Sequence, residues 1–116
     1  MNTKRIPILT RSETASVHPA DILYAESRLR LILLCTRQRQ YRYYGKLDDL
    51  MRFLSEAFYR CHISWIINLN EVDSLRNNAI HMSDGKVILL GRNKFQAARR
   101  VYIRYLLSNF NEHNLS

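Results

Sequence analysis

The stretch FYRCHISWIINLNEV begins at Phe58 and sets Arg60, Cys61, His62 and Ser64 at the head of an apolar run. A thiol beside an imidazole suggests two chemistries, a base-activated nucleophile or a metal site. Adjacent residues of a strand point to opposite faces, so Cys61 and His62 are poorly placed to share one ion or to hydrogen-bond each other. Nor do Cys35, Cys61, His18, His62, His81 and His113 show CxxC or HxxxH spacing. Asp48 and Asp49 fall in the first turn of an expected helix, where the helix dipole explains them better than acid–base catalysis does. The sequence also lacks a glycine-rich phosphate cradle. These readings favour no enzyme, no metal and no cofactor.

If strand alternation holds, Cys61, Ile63 and Trp65 face a core while Arg60, His62 and Ser64 face outward, toward an external anion or toward neighbouring backbone. A second polar set, Arg92, Asn93 and Lys94, falls where a hairpin strand gives way to a helix, whose first N–H groups suit a phosphate. Ordinary surface charge is the alternative there. Arg28 and Arg30 form a third set around Leu29, between two apolar strands, and read as a hairpin tip directed at nucleic acid or as a solvated turn.

The elements that would position these sets follow from periodicity and turn residues. RIPILT (5–10) and ETASVH (13–18) read as a hairpin, followed by strands ILYAES (22–27) and LRLILLCT (29–36). The last is apolar on both faces and should be central. RQRQYRYY (37–44) alternates, with Arg37, Arg39, Tyr41 and Tyr43 on one face. Bases could stack on those tyrosines, but a solvated strand covering apolar neighbours is preferred. KLDDLMRFLSEA predicts a helix through Leu47, Leu50, Met51 and Leu54. Strands resume from Phe58, Asn77 and Asn78 mark a turn, and Asp84-Gly85 suits a type I′ hairpin. After Gly91 a helix is expected with Asn93 as N-cap and Phe95, Ala98, Val101, Tyr102, Tyr105 and Leu106 on one face.

A chain of 116 residues, nearly half of them apolar, suffices for one domain, 1–116, with a core from about 5 to 106. No apolar run approaches the roughly 20 residues of a membrane span, and no secretory signal is evident, so a cytoplasmic protein with reduced thiols is expected. Eighteen Lys plus Arg, fourteen of them arginine, stand against ten Asp plus Glu, a formal charge of +8. Guanidinium suits phosphate and guanine edges, which makes nucleic acid the first partner to consider; solubility alone is the plain alternative.

The succession PADILYAES, LRLILLCT, YYGKLDDLMRFL, FYRCHISWIINLNEV and MSDGKVILLGRNKF resembles the LytTR-type DNA-binding domain of bacterial transcription regulators, from about residue 5 to 106. The most specific pieces are the block of Phe58, Arg60, His62, Ser64 and Asn68, and the Asp84-Gly85 strand leading to Arg92. The resemblance implies a mainly β fold of elongated antiparallel sheets with two helices, without a helix-turn-helix, whose loops enter successive major grooves. It also implies binding to double-stranded promoter DNA at direct repeats, with a possible second copy on the DNA. In a larger response regulator of a two-component system, a receiver domain and sensor kinase would be further partners.

Carried over by position, the implied DNA-contacting residues are Arg28 and Arg30; His62, Ile63 and Ser64 with Arg60; and Arg92, Asn93 and Lys94. Ile63 stands where relatives usually carry a polar or basic residue. It cannot hydrogen-bond a base, but it can touch a thymine methyl group, and in a loop it would face outward instead of inward. Arg30 and Arg92 are the expected base readers. The alternatives are an RNA-associated basic domain, suggested by RQRQYRYY, and a protein-interaction module using Tyr102, Tyr105 and Leu106.

Overall fold

A computed structural model describes the backbone of residues 4–115 and the side chains of residues 4–110. The fold is mainly β, all its strand pairs are antiparallel, and the chain divides after Asn68 into two compact units.

In the first unit, β1 (Ile6–Leu9) and β2 (Thr14–Val17) form a hairpin. β3 (Ile22–Arg28), β4 (Leu31–Thr36), β5 (Gln40–Tyr44), β6 (Phe58–His62) and β7 (Trp65–Asn68) form a sheet of order β5-β4-β3-β7-β6. The continuously apolar β4 is interior, as its composition predicts, but the middle position belongs to β3. One face of the sheet buries Ile22, Ile32, Leu34 and Ile66 with Ile6, Ile8 and Val17 of the hairpin and Leu47 and Leu50 of α1 (Leu47–Met51). Removing such side chains from water is the main drive for this assembly. On the other face Leu33 and Ile67 are buried, and the Tyr24 and Trp65 rings lie 6.0 Å apart.

Helix α1 is much shorter than its periodicity predicts. It ends at Met51, and i→i+3 bonds from Phe53 N–H to Leu50 O and from Leu54 N–H to Met51 O turn the chain back toward β6. Met51, Phe53 and Leu54 still pack against the core, so apolar spacing continued after the helix had stopped.

The RQRQYRYY segment behaves as a covering strand. Tyr41 and Tyr43 pack on the core, and burial pushes the Tyr43 hydroxyl up to about 12. Arg39 lies in the preceding turn, 4.0 Å over the Tyr41 ring, and makes a paired contact with the Glu13 carboxylate at 2.6 and 3.0 Å. That hydrogen-bonded guanidinium holds the Glu13 carboxyl below its usual range. These tyrosines are therefore not a platform for bases.

The second unit holds β8 (Val72–Arg76), β9 (Ala79–Met82), β10 (Val87–Leu89) and α2 (Arg92–Leu115). The sheet has the order β10-β9-β8. Its tight turn is Asn77-Asn78, both at positive φ (55° and 57°), the signature of a type I′ hairpin. The Asp84-Gly85 hairpin forms as expected but not with that turn: it closes through a longer loop in which only Gly85 takes positive φ, at 93°. Met82 N–H bonds Lys86 O there, and the Asp84 carboxylate accepts from Lys86 N–H. Phe95 and Ala98 of α2 are buried, while the Tyr102 and Tyr105 hydroxyls donate to Val72 O and Asn70 Oδ1. Leu106 is exposed with Ile103 and Leu107, while the two tyrosine hydroxyls bond within their own unit.

Asn68, 3% exposed, donates from Nδ2 to Ile22 O at 2.8 Å, pinning the end of β7 to the start of β3 beside a register shift between Ile22 and Tyr24. Asn68→Ala leaves that carbonyl without this donor and should cost about 1–3 kcal/mol in urea unfolding. Wild-type stability in the variant would show that the pairing of β3 and β7 does not need the bond.

Candidate nucleic-acid interface

The β3–β4 turn is Leu29-Arg30, closed by the Arg28 and Leu31 pair, and the β6–β7 turn is Ile63-Ser64, closed by His62 and Trp65. Because β3 runs antiparallel to β7, with Glu26 opposite Trp65, both turns emerge at the same end of one sheet. Ser27 N–H donates to Ser64 O at 2.9 Å and joins them. Two sets separated by thirty-odd residues of sequence thus form one surface. Tyr44, 82% exposed and opposite Leu31, ends at the same edge.

Each turn is held by its own polar bonds. Leu29 takes a left-handed φ of 59°, a conformation that costs a non-glycine residue roughly 1–2 kcal/mol. The Ser27 hydroxyl donates to its carbonyl at 3.2 Å. In the other turn, His62 Nδ1 accepts from Ser64 N–H at 3.0 Å. The proton of the neutral ring then sits on Nε2, leaving a donor for an outside acceptor. Arg60 donates from Nε to His62 O (3.2 Å) and from one terminal nitrogen to Ile63 O (2.7 Å), and its other terminal nitrogen pairs with Asp48 Oδ1 at 2.6 Å. Its guanidinium therefore braces the turn from behind.

The remaining cations differ in how free they are. Arg28 pairs with Glu26 at 3.2 Å, whereas Arg30 is exposed with no ion pair or side-chain hydrogen bond among the described residues. Arg92, Asn93 and Lys94 are all exposed on the first turn of α2, in the second unit, and that turn carries no acidic residue. Asn93 is not the N-cap: Phe95 N–H bonds Gly91 O at 2.9 Å, which places the cap at Gly91 and Asn93 inside the helix. Its amide is thereby released from capping.

Ile63 is 75% exposed and does not face the core, correcting the strand-alternation reading. Residues 63 and 64 form a turn, so the period of two stops at His62. Sequence reasoning passed over Leu29 and Tyr44. Leu29, between two arginines, was legible as an apolar tip, and alternation along β5 puts Tyr44 on the exposed face with Gln40 and Arg42, though not at the edge shared with the two turns.

Cys61 is buried, 4.0 Å from Trp65 O, and burial pushes its thiol up to about 12. Among the described residues no three His, Cys, Asp or Glu side chains group to hold a metal, and no helix is long and apolar enough to cross a membrane. His113 lies outside the described side chains.

Comparison with known proteins identifies the family and the fold. The sequence model of the LytTr DNA-binding domain matches residues 12–102. Accessory gene regulator protein A from two strains of Staphylococcus epidermidis is 29% identical over 104 residues, 86% of this chain and 41% of that protein. The chain spans about two fifths of the length of these curated relatives. A solved LytTr DNA-binding domain from Bacillus cereus superposes with a TM-score of 0.70 at 16% identity, covering 84% of this chain and 94% of that one, and shares the fold. The chain belongs to the LytTr family of DNA-binding domains.

With its pKa raised by burial, the Cys61 thiol stays protonated in the folded state until pH approaches 12. Alkylation with iodoacetamide at pH 8 should therefore spare Cys61 in the native protein and modify it in urea. Modification of native Cys61 at the rate of a free exposed thiol would contradict this.

Proposed function

We propose that this domain binds promoter DNA sequence-specifically and regulates transcription in the cytoplasm of a bacterium, presenting loops to the major groove. The observation that carries the reading is the joining of the β3–β4 and β6–β7 tips at one sheet end, where Arg30 projects unpaired. Arg30 and Arg92 read bases, each able to hold a guanine O6 and N7 with two parallel bonds worth about 1–3 kcal/mol of discrimination. His62 Nε2, Ser64, Asn93, Lys94 and the first N–H groups of α2 hold phosphates and fix register. Arg28 adds charge near the tip, and Arg60 acts by positioning the turn that carries His62, Ile63 and Ser64.

Direct repeats in the operator would let two copies bind in tandem without a symmetric dimer. The relatives' greater length supports a place for this domain as the output end of a response regulator, with a receiver domain controlled by a sensor kinase. As a DNA-binding output domain it has no catalytic task. The RNA reading loses its support because Tyr41 and Tyr43 pack on the core and Arg39 is tied to Glu13.

Selection from a random duplex library, followed by titration of the winner and a scrambled duplex at two salt concentrations, tests this reading. A preference of at least about 10³-fold is expected; equal binding to both duplexes would overturn it. Against the selected site, Arg92→Ala should relax one base preference, and Lys94→Ala should weaken all duplexes alike and lower the salt slope by about one. Unchanged base preference or an unchanged slope would remove the respective residue from its role.

A further inference from the structure

The two most outward side chains of the joined tips are apolar. Leu29 is fully exposed and Ile63 is 75% exposed. Neither choice serves the fold. The Asn77-Asn78 turn of the same chain shows what a tight hairpin ordinarily uses at positive φ, and Leu29 holds that conformation against its own preference. Left in water, both side chains forgo the burial that apolar residues ordinarily gain.

Both are nevertheless held firmly. The Leu29 carbonyl accepts from the Ser27 hydroxyl, the Ile63 carbonyl accepts from Arg60, and Ser27 N–H to Ser64 O ties one turn to the other. The Glu26 carboxylate on β3 and the Asp48 carboxylate that meets the bracing guanidinium are paired with Arg28 and Arg60, and Arg30 has no ion pair among the described residues. The surroundings therefore favour a polyanion, while the tips themselves favour something apolar.

We propose that Leu29 and Ile63 together read thymine 5-methyl groups. Among the groups that base pairs display in the major groove, the thymine methyl is the apolar one, and the others are hydrogen-bond donors and acceptors that these side chains cannot satisfy. Facing a polar edge, either residue would strip water from it without replacing the bond, so the tips both attract thymine and disfavour its competitors. The inference rests on the DNA-binding reading above and adds the base chemistry of this sheet end.

The test replaces each thymine of the selected duplex, one at a time, with deoxyuridine, which removes only the methyl group. At least one replacement should weaken binding by about fourfold, the equivalent of losing one buried methyl. Ile63→Ala or Leu29→Asn, both at exposed positions, should abolish that difference, binding the thymine and deoxyuridine duplexes equally. Thymines that are replaceable everywhere without effect, with duplex specificity retained, would overturn the inference and leave the DNA-binding reading standing. A methyl effect that persists undiminished in both variants assigns it to another residue and also overturns the inference. Failure to prefer any duplex would overturn both.

Discussion

The antiparallel pairing of β3 with β7 is the constraint on which the proposed interface depends. Tyr24 faces Ile67 and Glu26 faces Trp65 across it, so the end of β3 and the start of β7 share an edge, and the turns that follow and precede them become neighbours. The Ser27–Ser64 bond completes this junction, and Asn68 pins its far end. Arg60 then couples the β6–β7 turn to Asp48 of α1. Asp48 is well exposed, so solvent screens this pair and its stabilising effect is modest; its consequence is geometric, since the same guanidinium fixes two turn carbonyls.

Charge is sorted by partner. Among the described residues of the first unit, arginines meet carboxylates in the pairs Arg28 with Glu26, Arg37 with Asp21, Arg39 with Glu13 and Arg60 with Asp48. The formal +8 is thus no map of where a polyanion would bind. Free charge at Arg30, Arg92 and Lys94 is more informative, because an unpaired guanidinium or ammonium does not have to break an internal bond to meet a phosphate or base. Rigid turns and free cations make the combination suited to recognition, where disorder at the tips would add an ordering cost on binding.

Most of the fold was legible because alternating apolar residues and turn chemistry agreed along the chain, as in IPIL, LILLCT and the Asn77-Asn78 turn. The departures share a physical origin. A helical period continued from Leu47 to Leu54, but the same spacing is satisfied by five helical residues and a following turn packed on one core. The period of two ran through Ile63 on paper, whereas a two-residue turn reset it. Asp-Gly fits a type I′ turn by residue type alone, yet strand register decided the loop, and Asn93 lost the cap because α2 begins at Arg92, with its cap two residues earlier at Gly91. Arg28, Arg30, His62 and Ser64 were legible as candidates, but their convergence was not, since that depends on long-range strand pairing. The brace by Arg60 was hidden for the same reason.

A titration of the 15N-labelled protein with the selected duplex, followed by amide chemical shifts, tests the central claim most directly. The largest changes should fall at Arg28–Leu31 and His62–Trp65 together, with a further group at Arg92–Phe95, and little should move at Gln40–Arg42. Shifts confined to Gln40–Tyr44 or to the later turns of α2, with both hairpin tips silent, would contradict the assignment of this sheet end as the DNA-reading surface.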